Sequence, residues 1–318
     1  MLPLKTQVPL FNWLSQQWIH PFINQALTSL NMVKPVLLTF IPHIYAILGK
    51  YNEVLVCYYC VDDMGTLSKL VNPRVVAGYE RYLIDKADLV FTTSKALQQR
   101  FSQGHKRVYL FPNGTDPCLY ACALAPETII PSVFTNFPHP VLGFSGVVDF
   151  RLDQKLIENV ARHRPKWSFV FVGYVRTSVK MLERLPNVHF VPNQPLSALP
   201  AYFKAFDVGL IPYSLVPMSM SIYPTKLNEY LAAGLPVVTS MLPELVDCPD
   251  EIVCRISSPE EFILAVERLW PTRKDSTQIT ARIAYASKNS WAHRAAGIAD
   301  LIDSCLLDVH SGSRDVAL

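Results

Sequence analysis

The chain has 318 residues, about two ordinary domain lengths, and its 50% hydrophobic and 17% charged residues exclude a disordered or fibrous protein. The 29 Lys and Arg residues against 26 Asp and Glu leave a net charge of +3 with no long block of like charge, which argues against a nucleic-acid partner. No apolar run approaches the ~18–20 residues of a membrane span, and the opening MLPLKTQVPLFNWLSQQW lacks the layout of a signal peptide, so a cytoplasmic protein is expected.

The first ~30 residues read as helical and carry Trp13, Trp18 and Phe22. That aromatic stretch either touches lipid or packs as an amphipathic helix on its own sheet. Strands are expected at Val36–Phe40, Val54–Cys60, Leu89–Thr92 and Val108–Phe111. Helices are expected from Asn72-Pro73 toward Lys86, and from an N-cap at Ser94 to a stop at Gly104. With only four strands, the first of them late, this N-terminal part (1–112) is expected to be an incomplete Rossmann-like domain whose activity upstream truncation would impair. Seven cysteines suit reduced, buried thiols. Cys57-x2-Cys60 lies within one apolar strand, where residues three apart face opposite ways, and with Cys118-x3-Cys122 it makes a poor metal site.

Residues 113–139 are proline-rich and lose periodicity, as an interdomain connection would. From Pro140 the βα alternation restarts with VLGFSG, a helix near Asp153–His163, WSFVFVG, VHFV, DVGLIPY, TKLNEYLAAG and PVVTS. Helices follow at Pro259–Trp270 and around Ser290–Leu307. This predicts a second Rossmann-like domain over 140–308, with its last helix free to pack back on the first, then a frayed tail at 309–318. The fold class expected is α/β with two Rossmann-like domains whose parallel sheets face a central cleft.

There is no G-x-G-x-x-G, Walker, zincin or nucleophile-elbow motif. Chemistry instead concentrates at strand ends of the second half. Pro224 opens a helix that Gly234 and Pro236 close, with Lys226 and Glu229 three apart on one face near its N-terminus. Free backbone donors plus a lysine suit a diphosphate, and a carboxylate one turn on suits vicinal hydroxyls; the alternative is an exposed Lys–Glu pair. Gly146 permits close backbone approach after the domain's first strand, and Gly173 does so after the next. Arg151 can meet phosphate charge bidentately, or be capped by Asp149 or Asp153. In the first half, His43 and the pair Asp62-Asp63 fall at the sheet's carboxyl edge, where one could take a proton from a hydroxyl. A packed histidine, and a helix cap or turn at the aspartates, are the alternatives.

The run P-x-K-x-x-E-Y-L-A-A-G-x-P-V-V preceded by FDVGLIPY resembles the nucleotide-sugar site of GT-B-fold glycosyltransferases called group 1 or family 4. VLGFSGVVDFRLDQKLI with RPKWSFVFVG resembles the opening of their C-terminal domain. CYYCVDD, YERYLIDKADLVFTTSKAL and VYLFPNGTD resemble the end of their N-terminal domain. The subgroup implied builds bacterial exopolysaccharide or teichuronic-acid-type polymers. The resemblance implies that Arg151 and Lys226 hold the diphosphate leaving group and Glu229 the ribose. Where many members carry a first glutamate this chain has Ser221, so backbone near Ser221–Tyr223 is expected to substitute. It implies no metal or cofactor beyond a nucleoside-diphosphate sugar donor, and a glycan or lipid-linked acceptor met at the inner face of the plasma membrane. A nucleotide-sugar epimerase of the same fold, and a shortened noncatalytic nucleotide-sugar-binding relative, are the other readings.

Overall fold

The computed structural model describes residues 9–65 and 72–310 and divides into two α/β units, residues 1–112 with 295–318, and residues 113–294. In the first unit, α1 (Pro9–Ser29) is followed by β1 (Val36–Thr39), β2 (Leu55–Cys60), α2 (Pro73–Lys86), β3 (Leu89–Thr92), α3 (Lys95–Ser102) and β4 (Val108–Leu110). The strands pair in parallel in the order β1-β2-β3-β4. Local chemistry sets the helix starts: the Asn72 side chain accepts from the Arg74 N–H with Pro73 beside it, and Ser94 accepts from the Leu97 N–H. Strand alternation sends Val56, Tyr58 and Cys60 to one core with Leu83, Leu97 and Phe101, and Leu55, Cys57 and Tyr59 to the other. Cys57 and Cys60 therefore lie on opposite faces of the sheet.

The second unit runs through α4 (Pro117–Ala121), β5 (Val141–Ser145), α5 (Gln154–His163), β6 (Ser168–Val172), β7 (Val188–Val191), α6 (Leu199–Ala205), β8 (Val208–Ile211), α7 (Thr225–Ala232), β9 (Val237–Ser240), β10 (Val253–Ile256), α8 (Pro259–Leu269) and α9 (Ser276–Lys288). Its parallel sheet has the order β10-β9-β8-β5-β6-β7. From β5 the chain builds outward through β6 and β7, then returns to the other side of β5 to lay down β8, β9 and β10. That reversal leaves a crevice at the carboxyl ends of β5 and β8, where doubly wound sheets bind ligands.

One boundary moves from its expected place, and the last helix packs on the first unit as expected. Residues 113–139 are part of the second unit: Asp116 caps α4, and Tyr120, Ala123 and Phe134 enter its main core, so the prolines there bend a packed segment. The final helix, α10 (Trp291–His310), belongs from Ala295 onward to the first unit, where Ile298, Leu301, Ile302 and Cys305 cover the sheet face formed by Leu55, Cys57, Tyr59 and Phe91.

Candidate functional site

The loop after β5 is laced to the ends of both neighbouring strands. The Val148 N–H donates to the Tyr174 carbonyl after β6, and the Ser214 N–H after β8 donates to the Arg151 carbonyl at 2.7 Å. Gly146 and Gly173 make this lacing possible. Both have φ in the range that L side chains avoid, +128° and +145°, and a Cβ at Gly173 would collide with the Gly146 carbonyl. A Cβ at Gly146 would sit 2.7 Å from Lys226 Nζ, so the lysine lies directly over bare backbone.

Lys226 reaches that point because α7 is held rigidly beneath it. Leu227, Tyr230 and Leu231 are fully buried, and the Tyr230 hydroxyl accepts from the Ser145 N–H at 2.7 Å, pinning the helix to the end of β5. From the first turn, Lys226 Nζ donates to the Tyr213 hydroxyl at 3.0 Å and lies 5.0 Å from the Phe144 ring centroid. The Arg151 guanidinium sits 5.4 Å from the Tyr213 ring centroid and holds Asp149 with both Nε and Nη2, at 2.9 and 2.6 Å. Arg151 and Lys226 thus meet on one tyrosine. Burial alone would raise the Asp149 carboxyl, but the Arg151 hydrogen bonds and the charges of Arg151 and Lys226 hold it below its usual value. Asp153 does not cap Arg151; it caps α5, accepting from the Leu156 N–H.

Glu229 does not make a simple exposed pair with Lys226. Burial raises its carboxyl above the usual range, against the opposing pull of the Lys226 charge and of a hydrogen bond from the Tyr120 hydroxyl. Tyr120 is itself buried and stacked on Phe203, with ring centroids 5.3 Å apart. Ser221 closes a short 3-10 turn and its hydroxyl reaches only the Met218 carbonyl, at 3.5 Å. Tyr223 turns its side chain inward. Its ring is buried, its hydroxyl donates to Asn228 Oδ1 at 3.2 Å, and its carbonyl accepts from Asn113 Nδ2, because Asn228 is also bonded to the Asn113 carbonyl. Tyr223 braces the start of α7 from inside.

In the first unit the expected residues are more heavily committed. Asp63 pairs with Arg100 at 3.2 Å and accepts from the Gly65 N–H, as a turn residue does. Arg100 also pairs with Glu80 at 2.7 Å, and Glu80 in turn accepts from the Tyr58 hydroxyl. The Asp62 carbonyl accepts from the Cys60 thiol. His43 is half-buried, which lowers its basicity, and its carbonyl accepts from Asn12 Nδ2 at 2.9 Å, in keeping with a packed residue. Among the described residues, no cluster of three or more His, Cys, Asp or Glu side chains is arranged to hold a metal ion.

Sequence inspection passed over Tyr213 and Tyr120. Tyr213 closes the FDVGLIPY run already quoted, and its position just past a strand at the switch point was the available signal. Tyr120 is 109 residues from Glu229 in a segment without periodicity, and offered none.

Residues 139–271 match the family model described as Glycosyl transferases group 1. The chain is 30% identical over 230 residues to the "Putative teichuronic acid biosynthesis glycosyltransferase TuaH" of Bacillus subtilis (strain 168), an alignment covering 69% of this chain and 57% of that protein. It therefore spans little more than half the length of that relative. Among solved structures, Anabaena Alr3699/HepE in complex with UDP superposes with a TM-score of 0.68 at 15% identity, covering 89% of this chain and 82% of that one. The α,α-trehalose 6-phosphate synthase of Burkholderia multivorans superposes with a TM-score of 0.68 at 13% identity, covering 94% and 76%. At such low identities these structures speak for the fold. The chain has the two-unit α/β GT-B fold of these structures, and its match over residues 139–271 likens the second unit to the group 1 glycosyltransferases.

Proposed function

We propose that the protein transfers a sugar from a nucleoside-diphosphate sugar to a glycan or lipid-linked acceptor of the cell envelope. The observation that carries this is the meeting of Lys226 Nζ and the Arg151 guanidinium on Tyr213, over the bare backbone of Gly146, at the switch point of the second sheet. Breaking the bond between the anomeric carbon and the diphosphate oxygen leaves negative charge on the departing diphosphate. Two preorganised cations and the N–H groups at the start of α7 stabilise that charge as it develops. Glu229, one turn further along α7, accepts hydrogen bonds from the ribose hydroxyls. With Tyr223 turned inward, the donor sugar is left to backbone groups near Ser221.

On the acceptor side we assign removal of the acceptor proton to Asp62, just past the carboxyl end of β2, with His43 and Asp63 lining the acceptor approach. The likeness to TuaH supports a teichuronic-acid-type acceptor polymer, and HepE, solved with UDP and with UDP-glucose, supports a uridine donor. Calorimetric titration with UDP tests the donor site. Binding to the parent chain and its loss in Lys226→Ala and Glu229→Ala, with circular dichroism unchanged, is expected; equal binding by all three rejects the assignment. Asp62→Asn should retain UDP binding while losing transfer.

A further inference from the structure

Helix α1 is inside out. The side chains it turns toward its own unit in its first three turns are polar: Asn12 and Gln16 are 1% and 6% exposed. Asn12 Nδ2 and Gln16 Nε2 both donate to the His43 carbonyl, Gln16 Oε1 accepts from the Ala46 N–H at 2.7 Å, and the His20 ring is bonded to the Tyr51 hydroxyl at 3.0 Å. Only past Pro21 do apolar side chains, Ile23 and Leu27, take over the inward face, packing with Ile44, Ile47 and Tyr51. The opposite stripe, at the i, i+4, i+8 spacing of one helical face, is Leu14, Trp18 and Phe22. These are 47%, 73% and 56% exposed, and the last two rings lie 5.3 Å apart.

A helix packed only for the stability of its own unit would bury Trp18 and Phe22 and leave Asn12 and Gln16 in water. This one fixes its polar side by directed hydrogen bonds, which sets the rotation of the helix and presents the aromatic stripe outward. Charge identifies what it is presented to. The first acidic residue of the chain is Glu53; the preceding 52 residues carry Lys5, Lys34 and Lys50 and no carboxylate side chain. Lys34 and Lys50 are exposed, on the same unit. Among the described residues no helix is long and apolar enough to cross a membrane, and the bonds from Asn12, Gln16 and His20 tie α1 along its length to the body of its unit. An uncharged aromatic stripe on a unit with exposed Lys34 and Lys50, the latter donating to Gln17 of α1 itself at 3.0 Å, fits the headgroup layer of an anionic bilayer, where tryptophan is favoured.

We propose that α1 docks the protein on an anionic lipid surface through Leu14, Trp18 and Phe22, lying parallel to it, with Lys34 and Lys50 supplying attraction to the headgroups. Docking brings the enzyme to a lipid-linked acceptor and rests on the function proposed above for that purpose alone. The test is sedimentation with phosphatidylcholine vesicles, with and without phosphatidylglycerol, run beside UDP titration on the same preparations. The parent chain should bind the phosphatidylglycerol vesicles and release them at high salt. The double variant Trp18→Ser/Phe22→Ser should bind at least about tenfold more weakly with UDP affinity unchanged, and Lys34→Gln should lessen the preference for the anionic lipid. Failure of the parent to bind, or equal binding by parent and double variant, overturns the docking surface. So does a parent dimer that the double variant converts to a monomer, which would give the face to a second copy of this chain. Absence of UDP binding in the parent would instead overturn the donor-site reading and leave the lipid result standing.

Discussion

The two parallel sheets hold charge at their carboxyl edges in different ways. In the second unit Arg151 and Lys226 meet on Tyr213 and face the carboxylates of Asp149 and Glu229. In the first unit Arg100 is held between two carboxylates, Glu80 and Asp63. Two cations gathered on one tyrosine suit the diphosphate proposed above, whereas Arg100 of the first edge is already engaged by carboxylates. Two sheets of the same class are made different by which residues follow their strands.

The comparison can be broken at four places. Gly173→Ala should have the largest effect, a loss of roughly 3 kcal/mol or more in thermal or urea unfolding, because strained φ and collision with the Gly146 carbonyl fall on the loop that carries Arg151. Next, Lys226→Ala should weaken UDP by about a hundredfold, ~2.7 kcal/mol, with unfolding little changed; an affinity within a factor of a few of the parent would place the anion elsewhere. In the first unit, Arg100→Ala should leave buried Glu80 without its cation and cost about 1–2 kcal/mol, a figure reduced because Arg100 is itself more than a third exposed. UDP binding should not move in that variant.

The fourth is a pH experiment on Glu229. Its carboxyl is raised by burial, so UDP affinity should fall as pH drops through a point above the ordinary carboxylate range. Tyr120→Phe removes a hydrogen bond that favours the ionised form and should move that midpoint further up. Stability carries the opposite sign. A raised carboxyl lends stability that is full below its unfolded value and is lost as pH rises through its folded one, so Glu229→Gln should slightly stabilise the protein at neutral pH. The same change should weaken UDP roughly tenfold, and an unchanged affinity across pH would remove Glu229 from the ribose site.

How much of this was legible in the sequence depended on the distance over which each contact acts. The start and end of α7, the burial of Leu227, Tyr230 and Leu231 and the opposite facing of Cys57 and Cys60 are local, and spacing alone predicted them. The Tyr120–Glu229 contact and the inward turn of Tyr223 join segments far apart in the chain, and no period records them. The orientation of α1 was hidden for another reason. Asparagine and glutamine look like solvent-facing residues until the partners that satisfy them, here the His43 carbonyl and the Ala46 N–H, are known.

The return of α10 bears on how the protein is made. A ribosome releases the strands of the first unit long before residues 295–310, yet Ile298, Leu301, Ile302 and Cys305 are what shield Leu55, Cys57 and Phe91 from water. Throughout synthesis of the intervening 182 residues, 113–294, that sheet face stays bare, a sticky surface on the nascent chain suited to a holding chaperone. The second unit is contiguous and can close as soon as it emerges, so it should mature before the first, which waits for residues 295–310.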